Sequence, residues 1–582
     1  MYFTIIVTLI CASAALSKLV FWLCKTTTLP AGCRSLPGPR GIFTASHFSR
    51  TKANRVTGVL PWLGPISRIP RFGAWFRFKE WADQYGPIYH IRLLGKDHII
   101  IASEDIASQL LGSRGAIYSG RPPIPTLYDS QSNHGTAEYL PLMSKNQDHI
   151  RQKKFNHVSI AVASRNDYYM YPSIETKRLV YRMMHSTAAW TTQIEDMTSR
   201  VASRLAWGTP DYGEDLRRDA WNLLTHISPA GFLTNVLTPL NAVPTWLSPW
   251  KKAEQERHNM QKTWFVNNMN DVAKKILAGT AGPSYMRTWL ETVTTKGANT
   301  KSTPSAALEA AFAVGTLAFT AVYTVSSPMQ TFIRAAIKHP SWLAKVQAEL
   351  DSVIGDARMP EVSDTPHLPV LRAFLAECLR WQPPIPSGIP HQVDRDDIFE
   401  GYFIPKGACV HPLEWAFSRD SEKYPEPEAF NPQRWLDPGF PKTYREPLTR
   451  YPTIVGGSWF GWGRRYCMGQ ELTMQEAVVG CGSLAWAFDI KRKETVGEGD
   501  GNGKGKGKGN GKAAVDVEIE EKEGMRVPKR WDESLIIAKP PAEEIECVVR
   551  SEKRRLVVEA AYKDSKKLGA DVLRDLGNVL VE

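Results

Sequence analysis

The sequence predicts a mostly α-helical protein with small β-sheets, built as a single large domain behind an N-terminal transmembrane helix. Three observations predict this. From about Glu104 to Leu350 apolar residues recur at helical spacing, broken by Pro and Gly. Strand-like patterns are short and few, at Ile88–Leu93, at His98–Ala102 and again beyond Pro384. Tyr2–Cys24 is apolar apart from small hydroxyl residues and Lys18, a run long enough to span a bilayer core as a helix.

Composition narrows the classes further. The chain has 582 residues, enough to bury a large core, and its 43% hydrophobic and 23% charged residues are ordinary for a globular protein. The formal charge of +12 comes partly from a Lys-Gly tract, and no dense basic run carries interleaved aromatics, so no nucleic-acid partner is expected. Eight cysteines, at positions 11, 24, 33, 378, 409, 467, 481 and 547, include no CxxC pair. That pattern argues against zinc-finger or disulfide frameworks and for a reducing, cytosol-facing environment.

Taken in order, residues 1–25 read as the anchor. Lys18 can snorkel to the headgroups. No basic stretch precedes the apolar run, while Lys25, Arg34 and Arg40 follow it, which keeps the downstream chain in the cytosol and argues against a cleaved signal peptide. Residues 26–65 form a proline-rich hinge, Leu36-Pro37-Gly38-Pro39-Arg40-Gly41 and Leu60-Pro61-Trp62-Leu63-Gly64-Pro65, separated by the polar stretch Ile42–Val59. The catalytic domain occupies 66–582. Within it Phe76–Gln84 is a short amphipathic helix stopped by Tyr85-Gly86-Pro87, and the strand patterns at Ile88–Leu93 and His98–Ala102 make a hairpin. Ser305–Lys338 forms one long helix that Pro328 should bend. Leu368–Trp381 is a helix ended by Pro383-Pro384; short strands, a proline-rich meander over Tyr424–Pro441 and a last helix near Met468–Ala487 follow. The Gly-Lys tract within 496–512 has no Lys followed by Ser or Thr, so it reads as a disordered surface loop rather than a phosphate cradle. Short strands around Leu535–Ala538 and a charged tail complete the chain.

The strongest chemical signal is Phe460-Gly461-Trp462-Gly463-Arg464-Arg465-Tyr466-Cys467-Met468-Gly469, followed at once by an apolar helix. A thiolate at a helix start meets unpaired N–H groups and the positive end of the helix dipole. Bound iron keeps such a sulfur deprotonated, and the N–H groups tune the metal's potential. Gly463 allows a backbone turn closed to other residues, Gly469 lets the helix pass close to a flat ligand, and Arg465 is placed for an anionic group on it.

Five residues of this loop, Phe460, Gly463, Arg465, Cys467 and Gly469, resemble at their spacing the haem loop of the cytochrome P-450 superfamily. Glu377 and Arg380 in Ala376-Glu377-Cys378-Leu379-Arg380, with Arg434 in Phe430-Asn431-Pro432-Gln433-Arg434-Trp435, resemble the family's buried Glu-Arg-Arg network. The likeness runs from the anchor almost to the C-terminus and is nearest to microsomal enzymes of fungal secondary metabolism. It implies the P-450 fold, a haem b whose iron takes its axial thiolate from Cys467, NADPH oxidised by a separate cytochrome reductase (a flavoprotein), and a lipophilic small-molecule substrate that gains one oxygen atom from O2. It also implies a single-pass endoplasmic-reticulum membrane protein with a cytosolic domain. The substrate pocket is expected after Arg121, near Phe312 and Thr320, at Ile385–Ile389 and at Leu535–Ile537.

Four departures carry consequences. Counting back from His339-Pro340 places Thr324 at the family's oxygen-contacting position and Tyr323 where an acid is expected; a phenol is a poor carboxylate-type shuttle. His149 and Lys153 stand where the family has Trp and Arg at a haem propionate, and His391 at another propionate position. Ile42–Val59 and Val158–Met170 look inserted, lack a hydrophobic period that would join the core, and are candidates for retained introns. Reductase docking is expected at a basic face of His149, Arg151, Lys153, Lys154 and Arg464. Two rival functions follow from these departures: a reductase-free haem-thiolate isomerase or dehydratase, suggested by Tyr323, and a haem-binding relic with impaired catalysis.

Overall fold

A computed structural model describes residues 29–39, 68–70, 73–93, 95–124, 127, 139–227, 243–295, 304–493, 519–522, 525–528, 536–540 and 543–579. The anchor, the stretch 42–59 and the Gly-Lys tract lie outside these residues. The longer helices are α1 (Ala74–Tyr85), α2 (Gln147–Arg165), α3 (Tyr171–His185), α4 (Trp190–Trp207), α5 (Gly213–Ile227), α6 (Pro249–Leu277), α7 (Tyr285–Thr295), α8 (Pro304–Lys338), α9 (Pro340–Val353), α10 (Pro369–Trp381), α11 (Gln470–Ala487) and α12 (Glu552–Val579).

The main sheet has strand order β1-β2-β6-β3 and consists of β1 (Ile88–Leu93), β2 (Lys96–Ile101), β3 (His391–Gln392) and β6 (Cys409–Pro412). β1 and β2 form the expected hairpin, with Ile91 opposite His98, and β6 runs parallel to β2. Three two-stranded sheets accompany it: β4 (Asp397–Phe399) with β5 (Tyr402–Ile404), β7 (Phe488–Arg492) with β10 (Ile545–Val549), and β8 (Ile519–Lys522) with β9 (Met525–Pro528). The described part of the proline hinge docks on this sheet: the His90 N–H donates to Pro37 O at 2.8 Å, and a Cβ at Gly38 would lie 1.9 Å from His90 O. Only glycine fits there.

α8 is the axis of the domain. It is long and apolar enough to cross a membrane, yet most of that stretch is buried inside the protein, packed on α4, α5, α6, α10 and α11. A helix apolar all round belongs in the core of a large domain. It continues unbroken through Pro328, which removes the N–H that would bond the Thr324 carbonyl. α11 is buried along most of its length, and its C-terminus leads directly into β7.

Three expectations are corrected. Val158–Met170 is not excluded from the core: α2 runs on to Arg165, and Ser159, Ala163, Tyr168 and Tyr169 are buried. The buried face of α2 is Gln152, Asn156, Ser159 and Ala163, small or polar, so it carries no hydrophobic period to detect. Left-handed backbone at Asp167–Met170 then turns the chain into α3. The described part of Leu535–Ala538 is irregular rather than a strand, tied by the Ala538 N–H to Pro384 O at 2.8 Å; the strand comes at Ile545–Val549. The charged tail contains α12, which buries Val558 and stacks Tyr562 on Tyr181 with ring centroids 4.1 Å apart.

Beneath α8 the Glu377 carboxylate is fully buried and accepts from Arg380 Nε (2.8 Å) and Nη2 (2.7 Å), Arg434 Nε (3.1 Å), Trp435 Nε1 (3.0 Å) and the Asn431 N–H (2.8 Å). Glu377→Gln leaves two buried guanidiniums without their counter-charge. It should destabilise the fold by about 3–5 kcal/mol, read as a lower denaturant midpoint and a smaller soluble fraction.

Candidate functional site

Residues of α2, α4, α7, α8, α10 and the Cys467 loop line one large cavity, whose empty space including its mouth is about 1870 Å³. The Cys467 sulfur faces open space, but that space is the cavity itself. Surrounding protein therefore raises the thiol pKa, while the Gly469 N–H pulls it down. The loop is closed by the Cys467 N–H donating to Phe460 O at 2.8 Å. Gly463 has φ +53°, and a Cβ there would sit 2.1 Å from Leu111 O, so no other residue fits. At Gly469 a Cβ would meet nothing nearer than the Cys467 sulfur at 3.9 Å.

One end of the cavity is lined by basic side chains. Arg121, His149, Lys153, His391, Arg464 and Arg465 all line it. Arg465 donates to Ser119 O (2.8 Å), Met143 O (2.6 Å) and His149 Nε2 (2.7 Å). Because the guanidinium only donates, Nε2 must accept, which puts the neutral imidazole's proton on Nδ1. That Nδ1 is buried and has no hydrogen-bond partner among the described residues. Burial, with Arg465, Lys153 and Arg121 nearby, lowers the His149 pKa to about 4. His391, buried and donating from Nδ1 to Tyr118 O at 2.7 Å, is lowered to about 3 by burial and Arg121. Lys153 donates to Arg464 O at 2.5 Å, bracing the cysteine loop. His149 and His391 are thus buried groups rather than surface cations. Arg121 was not anticipated as part of this cluster; a lone arginine before two prolines carries no spacing signal. Its guanidinium is buried against Pro141 O, Ile389 O and Pro390 O, and burial lowers its pKa to about 9.

On α8 Thr324 lines the cavity and its hydroxyl donates to Thr320 O. Tyr323 does not line it, which corrects its assignment as a catalytic group. One residue turns a helix by about 100°, so Tyr323 faces α5 instead, donating to Arg217 O at 2.9 Å with Trp221 against its ring. Ile385 and Ile389 line the cavity as expected; Phe312 does not, stacking instead on His258, and neither does Ile537. The basic docking face is smaller than expected. His149 is buried, Arg151 is held by Glu309 (2.8 Å) and Asp148 (2.6 Å), and only Lys154 and Arg464 of the five remain exposed without such ties.

These features fit a haem. Among the described residues no group of three or more His, Cys, Asp or Glu side chains could hold a metal, so a metal held by Cys467 alone must bring its other ligands with it. A flat macrocycle with two carboxylates does so, and the cation cluster with the unpartnered His149 Nδ1–H suits those carboxylates. Cys467 would hold the iron; Arg121, His149, Lys153, His391 and Arg465 would hold the anionic edge.

Comparison with known proteins agrees. A family model described as Cytochrome P450 matches residues 55–504. Cytochrome P450 monooxygenase 58 of Postia placenta is 28% identical over 459 residues, covering 77% of this chain and 84% of that protein. Cytochrome P450 monooxygenase fogE of Aspergillus ruber is 28% identical over 442 residues, covering 74% and 79%. The echilunin cytochrome P450 monooxygenase of the same species is 28% identical over 472 residues, covering 79% of each.

The lowered histidine pKa values set a pH response. Both imidazoles stay neutral in the native cavity but take protons in the unfolded chain below about pH 6.5, so acid favours unfolding. Without haem, the urea midpoint should fall as pH drops from about 7 to 5. With haem carboxylates beside the imidazoles the slope should be shallower; equal slopes would separate these histidines from the anionic edge.

Proposed function

Because the chain belongs to the cytochrome P450 family, we propose that it inserts one oxygen atom of O2 into a lipophilic small molecule of fungal secondary metabolism. Electrons would come from NADPH through a separate flavoprotein reductase. The enzyme class itself follows from family and relatives: an oxidoreductase of the monooxygenase type with haem-thiolate iron. The observation that carries the proposal is a single cysteine sulfur opening into a cavity with cations at one end and apolar walls elsewhere.

When bound, haem supplies the redox-active iron that activates oxygen. The chain's own residues do the rest. The Gly469 N–H stabilises the sulfur's negative charge. Arg121, Lys153 and Arg465, with the neutral imidazoles of His149 and His391, would orient the macrocycle at the cavity end. Leu140, Pro141, Ala321, Val325, Ile385 and Ile389 exclude water and favour an apolar substrate. With Tyr323 turned away, proton delivery falls to Thr324 and to the Thr324 carbonyl that Pro328 deprives of its helical donor, both able to order water. The isomerase rival loses its support with Tyr323, and the relic rival loses part of its support because 158–170 contributes buried residues.

Cys467→Ala should load haem poorly, and its reduced, carbon-monoxide-bound form should lack the red-shifted thiolate band; survival of that band would identify another ligand. Product formation should require NADPH and reductase, and turnover without them would favour the isomerase.

The membrane anchor at residues 1–25 and the endoplasmic-reticulum location belong to the same proposal, supported by the apolar run Tyr2–Cys24. Deleting residues 1–25 should move most of the protein from the microsomal pellet to the supernatant. Full retention in the pellet would place the membrane attachment elsewhere.

A further inference from the structure

Three threonines, Thr316, Thr320 and Thr324, sit four residues apart along α8 and all line the cavity. Their hydroxyls are not equivalent. Thr320 donates to Leu317 O at 2.8 Å and Thr324 to Thr320 O, each bonding back to its own helix. Thr316 is only 3% exposed, and its Oγ1 has no hydrogen-bond partner among the described residues. A buried hydroxyl without a partner is destabilising, and a ligand oxygen that pairs with it removes the penalty.

The surroundings narrow what that ligand is. Leu317, Ala318 and Ala321 of α8 and Ala202 and Leu205 of α4 line the same cavity, and none is charged. Asn156 and Tyr168 also have unpartnered polar atoms, but Asn156 lies on the face of α2 that carries His149 and Lys153, the basic end assigned above to haem carboxylates, and Tyr168 stands beside Glu471 and Glu476 of α11, the helix that follows Cys467. Thr316 is therefore the unpartnered hydroxyl left for a substrate. Its hydroxyl both donates and accepts, and the uncharged neighbours on this wall offer a carboxylate no counter-charge, so it suits a neutral oxygen.

We propose that Thr316 is a specificity-determining residue that pairs with a hydroxyl or carbonyl oxygen on an otherwise apolar, neutral substrate. The enzyme then acts on a hydrocarbon skeleton that already carries oxygen. An earlier oxidation or an oxygen-retaining cyclisation must supply that substrate, and the reaction here is a later oxidation. The inference rests on the monooxygenase reading only in taking this wall as the substrate side.

The test uses the full-length holoenzyme and three rigid probes of one shape: decalin, its secondary alcohol and its ketone. Dissociation constants are read from the haem absorbance change on titration. The wild type should bind the alcohol or the ketone at least about tenfold more tightly than decalin, roughly 1.4 kcal/mol. Thr316→Val, nearly the same shape, should erase that preference while leaving decalin binding unchanged or tighter, and Thr316→Ser should retain it. A holoenzyme that binds the three probes alike, or none of them, overturns the proposal, as does a preference that survives in Thr316→Val. Haem content and the carbon-monoxide band of each variant report separately on the haem-thiolate assignment, so failure of one reading is distinguishable from failure of the other.

Discussion

The carboxylate of Glu377 is the constraint on which the site depends. It lies at zero exposure with two guanidiniums beside it, Arg380 at zero and Arg434 at 1%. One negative charge does not neutralise two positive ones. The balance comes from carbonyl dipoles: Arg380 also donates to Ser418 O, Pro427 O and Ala429 O, and Arg434 to Pro425 O, Glu426 O and Ala429 O. A segment with almost no regular structure is thereby held by side chains where other segments use backbone ladders. Buried charges are tolerated only when paired and hydrogen-bonded, and this cluster meets both conditions.

From that anchor the chain is led to the sulfur by further buried donors. Thr443 donates to Arg434 O, and buried Arg372 of α10 donates to Pro452 O at 2.7 Å. Ser458 then donates to buried Glu414 at 2.7 Å, just before the turn through Phe460. Lys153 and Arg465 fasten the other side of the loop to α2 and to the carbonyls of Ser119 and Met143. Cys467 is thus fixed from both sides by groups that themselves cannot easily move. This is how a thiol comes to present its sulfur to a cavity while remaining enclosed by protein.

Local features were legible in the sequence, and features set by packing were not. The cysteine loop is contiguous, so its spacing could be read directly, and Glu377 and Arg380 are near neighbours on one helix face. Arg434 lies 57 residues from Glu377 and was found only through family resemblance. Arg121 and Thr316 have no spacing to betray them: one matters because three carbonyls converge on it, the other because nothing does. The segment 158–170 was misjudged because a helix face packed with Gln, Asn, Ser and Ala lacks the apolar repeat by which buried helices are recognised. Ile536–Ala538 has strand composition, but its backbone bonds go to Pro384 and Ser327 instead of to a neighbouring strand.

Tyr323 shows how a substitution beside a reactive centre can be structural. Its hydroxyl donates to Arg217 O on α5, and the Lys539 ammonium lies 4.3 Å from its ring while pairing with buried Glu195 of α4 at 2.8 Å. One side chain therefore couples α8 to α5 and to the 536–540 segment, and through Lys539 to α4. A carboxylate here could pair with Lys539 but would lose the aromatic contact with Trp221 at 5.7 Å. The phenol trades a titratable group for packing on the side of α8 away from the cavity. The cavity face keeps Thr324, and Pro328 leaves the Thr324 carbonyl one turn back without its helical donor, a polar group that an unbroken ladder would have satisfied.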